Sequence, residues 1–147
     1  MNRLFMIAAV ILVALTATAD ASAPAGRYTV ATGTVYDTKT KLTWQQAVPS
    51  TTYAWADAST YCAGVGATLG GSGWRLPTFR ELITIVDFSQ STMPTIDTTA
   101  FPATPAVNFW TLTPAPGSAT TAMHVSFGNG SVNTSALSEV NAVRCVH

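Results

Sequence analysis

An α+β fold with antiparallel strands is what this sequence predicts, and three observations carry the prediction. Two segments, near residues 55–65 and 79–86, repeat apolar residues at helical spacing. Much of the rest is short β-prone runs separated by Gly, Pro, Asn and Asp, with connections that suit antiparallel neighbours. Between the helical segments sits the stretch Gly70 to Leu82, GGSGWRLPTFREL, which joins a glycine-rich loop to an aromatic-basic strand end and a helix start.

Taken in order, the chain opens with Arg3 ahead of an apolar run over residues 4–15, followed by small residues. This is the pattern of a secretory signal peptide, residues 1–21, with a small-x-small site at Ala19-Asp20-Ala21. The apolar run is too short for the roughly 20 residues of a spanning helix, so a retained membrane anchor is the weaker reading. The expectation is an exported protein in the periplasm, at the cell surface or outside the cell. Residues 22–26 form an Ala/Pro/Gly leader expected to be mobile, and residues 27–147 a single domain.

Residues 28–30, 34–36 and 42–44 are β-prone, and the polar insert Asp37-Thr-Lys-Thr-Lys41 reads as a hairpin turn, with Asp37 able to bond the backbone two residues on. Trp55, Ala58, Cys62 and Val65 then fall on one helical face, with Asp57 in the first turn and Gly64 and Gly66 expected to end the helix. The second helix starts at Thr78. Glu81 stands three residues on, the reciprocal capping box, and Pro77 and Leu82 have the spacing of a hydrophobic staple. Phe79, Leu82, Ile83 and Val86 continue that helix to about Asp87.

Beyond it, residues 89–106 hold three prolines and no period, with Ile96 and Phe101 as apolar anchors. A strand follows over residues 108–113, then a second proline-bearing loop over 114–121. Met123, Val125 and Phe127 alternate with His124 and Ser126, which places His124 on the other sheet face, and Gly128-Asn129-Gly130 turns the chain into a hairpin. A last strand over residues 142–147 sets Val143 and Cys145 against Arg144 and Val146.

Composition narrows the function. The chain has 147 residues, 7 basic against 7 acidic, so it lacks the basic excess that phosphate backbones demand, and nucleic acid is excluded as a partner. Its two cysteines, Cys62 and Cys145, permit one intramolecular bond in an oxidising compartment, with a free thiol pair or an intermolecular bridge as alternatives.

In element order the chain resembles the Lcl C-terminal domain family, named for the C-terminal region of a bacterial collagen-like adhesin. The resemblance rests on Asp37-Thr-Lys-Thr-Lys-Leu-Thr-Trp-Gln45, Trp55-Ala-Asp-Ala-Ser-Thr-Tyr-Cys62 and Trp74-Arg-Leu-Pro-Thr-Phe-Arg-Glu-Leu82. It continues through Ile96-Asp97, Phe101-Pro102, Phe109-Trp-Thr111, Val125-Ser-Phe-Gly128 and Val143-Arg-Cys-Val146. It implies a C-type-lectin-like fold related to the formylglycine-generating enzyme, two helices with short antiparallel strands, and a disulfide between Cys62 and Cys145. Two departures bear on function. The run that holds calcium and sugar in related lectins is absent, and both cysteines are committed to structure rather than to redox chemistry. Ala54 stands where the family usually has threonine, so the first helix is expected to lack a cap.

A non-catalytic binding or adhesion module therefore fits best, with a glycan or a surface protein as ligand; the alternative is a self-associating envelope or matrix subunit. Neither a cofactor nor a metal is expected. The loops 89–107 and 114–121 with the tip at Asn129 are the expected recognition surface, and Asn108, Trp110, His124 and Asn129 its candidate contacts. Trp44, Trp55 and Trp74 are expected in the core. Asp87 and Asp97 with loop carbonyls are the one conceivable calcium site, although their spacing is not that of a calcium loop. Arg75 and Arg144 are expected to brace loops or the sheet.

Overall fold

The computed structural model describes residues 23–147, so the signal-peptide expectation for 1–21 lies outside the described residues. The leader residues that are described form a turn, closed by the Arg27 N–H bonding the Pro24 carbonyl at 3.0 Å.

The first sheet is β1 (Tyr28–Ala31), β2 (Thr34–Asp37) and β3 (Leu42–Gln45), antiparallel in that order. Its second turn is set by Asp37, whose carboxylate accepts the Lys39 N–H at 2.9 Å as the sequence predicts. The same carboxylate takes two hydrogen bonds from Arg27 at 2.9 and 3.3 Å. Burial pushes the Asp37 pKa up, but the Arg27 and Lys39 hydrogen bonds outweigh it and hold the group below its usual range.

Three helical segments follow: α1 (Trp55–Gly64), α2 (Gly66–Leu69) and α3 (Phe79–Ile83). Ala58, Cys62 and Val65 are buried, and Ala54 caps α1 with no side-chain bond. Gly64 ends α1, whereas Gly66, expected as a terminator too, opens the single turn α2. A side chain at Gly66 would meet the Gly71 carbonyl and the Trp74 ring, each at 2.9 Å, so the loop folds this tightly because glycine is there. The capping box forms in full, with Glu81 N–H donating to Thr78 Oγ1 at 3.2 Å and Thr78 N–H to Glu81 Oε2 at 2.7 Å.

Helix α3 ends at Ile83, short of the expected Asp87. The N–H groups of Thr84, Ile85 and Val86 bond carbonyls three residues back, a tightened last turn. Two causes act there. Ile83 to Val86 is a β-branched run, which weakens helix, and Arg27 draws the Thr84 carbonyl away at 2.6 Å.

The second sheet is β4 (Asn108–Pro114), β5 (Thr121–Ser126) and β6 (Val132–Ala136), again antiparallel in order. Residues alternate across it, so Phe109 and Val125 face one core with Trp44, Leu82, Ile96, Phe101 and Phe127, while Trp110 and Ala122 face another with Cys62, Trp74, Leu76 and Val143. The sheet is the wall between two cores.

The tail is where expectation and structure part. Residues 142–147 alternate as predicted, with Val143 and Cys145 in the second core and Ala142 and Val146 in the first, yet they form isolated bridges rather than a regular strand. Val146 bridges both Trp44 and Arg75, and Ala142 bridges Phe109. The tail is a seam between the two sheets, and a seam shared among three neighbours has no continuous ladder. Cys145 meets Cys62 across 83 residues with Cα atoms 5.3 Å apart, which is the disulfide the resemblance implied. Arg144 is wholly buried, its guanidinium 4.7 Å over the Phe101 ring and donating to Thr104 Oγ1 at 2.8 Å, so it braces the long loop. Burial pulls its pKa down to about 9.

Candidate functional site

The four predicted contact residues do not assemble into one surface. Trp110 is fully buried, and its indole N–H donates to the Tyr53 carbonyl at 2.8 Å. His124 does lie on the opposite sheet face from Val125, but that face is covered as well; its Nδ1 pairs with Ser135 Oγ at 3.1 Å. Burial holds its pKa below the usual histidine range, against a weaker pull from Glu139. Both residues are corrected from contact to core, because the second core covers the face that alternation had left open to water. Asn108 is half-buried at the start of β4 opposite Ser126. Only Asn129 is exposed, at the hairpin tip, where its side-chain carbonyl accepts the Ser131 N–H at 3.0 Å.

Asp87 and Asp97 come closer to expectation, since both line one hollow with Arg27, Tyr28 and Ser89. Both oxygens of Asp87 and one of Asp97 are already engaged. Asp87 accepts from Ser89 and Gln90, and Asp97 from the N–H groups of Thr99 and Ala100 at 2.9 and 3.1 Å. Arg27 brings a positive charge to the same hollow, and among the described residues no three His, Cys, Asp or Glu side chains gather.

A different concavity is built by the second predicted loop. Trp55, Pro114, Ser118, Ala119, Thr121, Ala122 and Leu137 enclose about 300 Å³, and none of them carries a charge. Each wall has a local cause. Trp55 is the first residue of α1, so its ring stands at the helix mouth; its indole N–H donates to the Thr111 carbonyl at 2.8 Å and its backbone N–H to the Leu137 carbonyl at 3.1 Å. Between Trp110 and Pro114 the β4–β5 register slips, and that irregularity swings Pro114 and the loop behind it toward Trp55. The loop is held by Ala115 N–H to the Thr121 carbonyl at 3.0 Å and Ser118 N–H to the Ala115 carbonyl at 3.1 Å, with Gly117 supplying a backbone φ of 73°. Leu137 is placed by its N–H bonding the Thr120 carbonyl at 2.9 Å.

Chemically the hollow offers one half-buried aromatic face, four aliphatic or proline surfaces and two hydroxyls. With its N–H spent on Thr111, Trp55 can stack but not donate. The first predicted loop borders a second apolar hollow of about 340 Å³ with Val48, Pro49 and Val107, but no aromatic ring lines it. Trp55 and Leu137 line this hollow and were not among the contacts expected from sequence. Trp55 falls on the apolar helical face and so reads as core, although its position at the helix start was a signal that it could open outward; Leu137 carries none.

The family model of the Lcl C-terminal domain matches residues 33–147 of the chain. Among curated proteins none matches it.

Proposed function

Because the chain belongs to the Lcl C-terminal domain family, we propose that it is a non-catalytic binding module, exported by its N-terminal segment, that holds a neutral ligand in the hollow beside residues 114–121. The observation that carries the reading is the hollow itself, a hydrogen-bonded apolar cup with an anchored tryptophan face and no titratable lining. The fate of the acidic groups supports the absence of chemistry. Glu81 serves Arg75 and the helix cap, Asp37 serves Arg27, and Asp97 closes its own turn. Two carboxylates poised across a cleft would be needed for glycoside hydrolysis, and the described hollows hold no such pair free of these duties.

The test is spectroscopic. Neutral monosaccharides, N-acetylated amino-acid amides and charged counterparts of each are titrated into the protein while the Trp55 indole N–H signal is followed. A neutral probe is expected to move that signal, with affinity reduced about tenfold or more in Trp55→Ala and unchanged between pH 5 and 8 to within roughly twofold. A signal that no neutral probe moves, or one moved only by charged probes, would overturn the reading.

A further inference from the structure

The hollow lies at one end of the β5–β6 hairpin, bounded by Thr121 and Ala122 at the start of β5 and Leu137 just after β6. At the other end of the same hairpin the chain exposes its two most accessible large apolar side chains among the described residues, Phe88 at 69% and Met93 at 68%. Phe88 lies against Gly130 so closely that a side chain there would collide with its ring, and Met93 sits beside Gly128. The glycines of the hairpin tip therefore seat an apolar knob. Asp87, the charge next to Phe88 in sequence, has its carboxylate turned to Ser89 and Gln90.

Knob and hollow cannot meet within one molecule, since the six residues of β5 separate them by about 20 Å. They match between molecules. Both are apolar and uncharged, and the balanced charge of the chain, 7 against 7, opposes no approach of like copies. A dry apolar cavity of about 150 Å³ accepts one benzene ring, so a hollow of about 300 Å³ has room for a phenylalanine ring with a methionine side chain beside it.

Resting on the reading of the hollow as a binding site, we infer that its occupant is the Phe88–Met93 knob of a second copy of this chain. The contact is heterologous: one end of the hairpin engages the opposite end of the next molecule, so association propagates head to tail instead of closing at a symmetric dimer. With one ring and one thioether buried per contact, the association belongs to the weak, transient class.

Sedimentation velocity on the full chain tests this with two variants that each remove one half of the contact. Phe88→Ala deletes the knob and Ala119→Arg fills the hollow; both positions are exposed, so the fold is retained, as circular dichroism would verify. The unaltered chain is expected to show an average mass that rises over a hundredfold span of concentration, and each variant alone to stay monomeric. An equimolar mixture of the variants is expected to form a species of twofold mass and nothing larger, because one knob and one hollow remain. Growth of the parent beyond twofold mass separates head-to-tail association from a closed dimer in which each copy's knob fills the other's hollow, and a parent that stops at twofold mass overturns the head-to-tail contact. A monomeric parent chain, a variant that still associates, or a mixture that stays monomeric overturns the inference. N-acetyl-phenylalanine amide titrated into Phe88→Ala separates the two levels: if it moves the Trp55 signal while the parent chain is monomeric, the hollow binds and its occupant is not a second copy. If it fails and nothing associates, both readings fall.

Discussion

Four hydrogen bonds converge on the Glu81 carboxylate: two from Arg75 at 2.7 and 2.8 Å, one from the Thr78 N–H at 2.7 Å and one from the Thr78 hydroxyl at 3.0 Å. The Arg75 bonds, opposed by burial and joined by those from Thr78, pull its pKa from 4.5 to about 2. A carboxylate depressed in this way contributes stability that is fully present above its unfolded value and is lost as pH falls through its folded value. Glu81→Gln is therefore expected to destabilise the protein by roughly 1 to 2 kcal/mol at pH 7, below the full linkage figure because Arg75 is 40% exposed and screened. The difference from the parent is expected to shrink from pH 4.5 downward and to vanish near pH 2, as urea midpoints across that range would show. A difference that stays constant with pH would mean that the Arg75 pairing is not its source. This carboxylate was legible in sequence as a cap, through its spacing from Thr78. Its second duty, toward Arg75, was not, because an arginine six residues away across a proline can point anywhere.

At the scale of elements, the helices divide by how they start. Helix α3 has only five residues, too few to form alone, and its capping box and its stitching to β4 compensate: Leu112 N–H bonds the Pro77 carbonyl at 2.7 Å and Phe79 N–H bonds Thr113 Oγ1 at 3.1 Å. Helix α1 begins at Ala54 with extended backbone, φ −64° and ψ 157°, and no side-chain bond. Opposite changes are therefore expected from two substitutions. Thr78→Ala should lose about 1 kcal/mol and Ala54→Thr gain about 0.5 to 1 kcal/mol, read as shifts of the denaturation midpoint at constant slope. The hairpins and both helix starts could be read from sequence because turn and cap chemistry acts within a few residues. The early end of α3 could not, since one of its causes is Arg27, 57 residues away from Thr84.

For the whole molecule, the tail decides the architecture. It joins β3 through Thr43 and Gln45, the Arg75 segment and β4, and pins α1 through Cys145. A bond spanning 83 residues restricts the unfolded chain by about 4 to 5 kcal/mol on the loop-entropy account. Replacing both cysteines by alanine is expected to cost about 3 to 5 kcal/mol, and thermal unfolding with and without reductant would check it: reductant should lower the parent's midpoint toward that of the double variant and leave the variant unmoved. A double variant as stable as the parent would show that the hydrogen-bonded seam alone holds the sheets together.

By itself the sequence determined what short-range chemistry can determine: the α+β class, the Asp37 turn, the Thr78–Glu81 cap, the period of each helix and the two faces of each strand. Only the tertiary structure decided which faces water reaches. Alternation along β5 sets His124 opposite Val125, but the register that puts it beside Trp110 and the burial of that side by α1 and the tail came from the fold, while Trp55, on an apolar helical stripe, is left half-open by a loop that begins 59 residues later at Pro114. A residue's own spacing records its direction relative to its neighbours in the chain; its exposure is set by whatever packs against it, and those partners are distant in sequence.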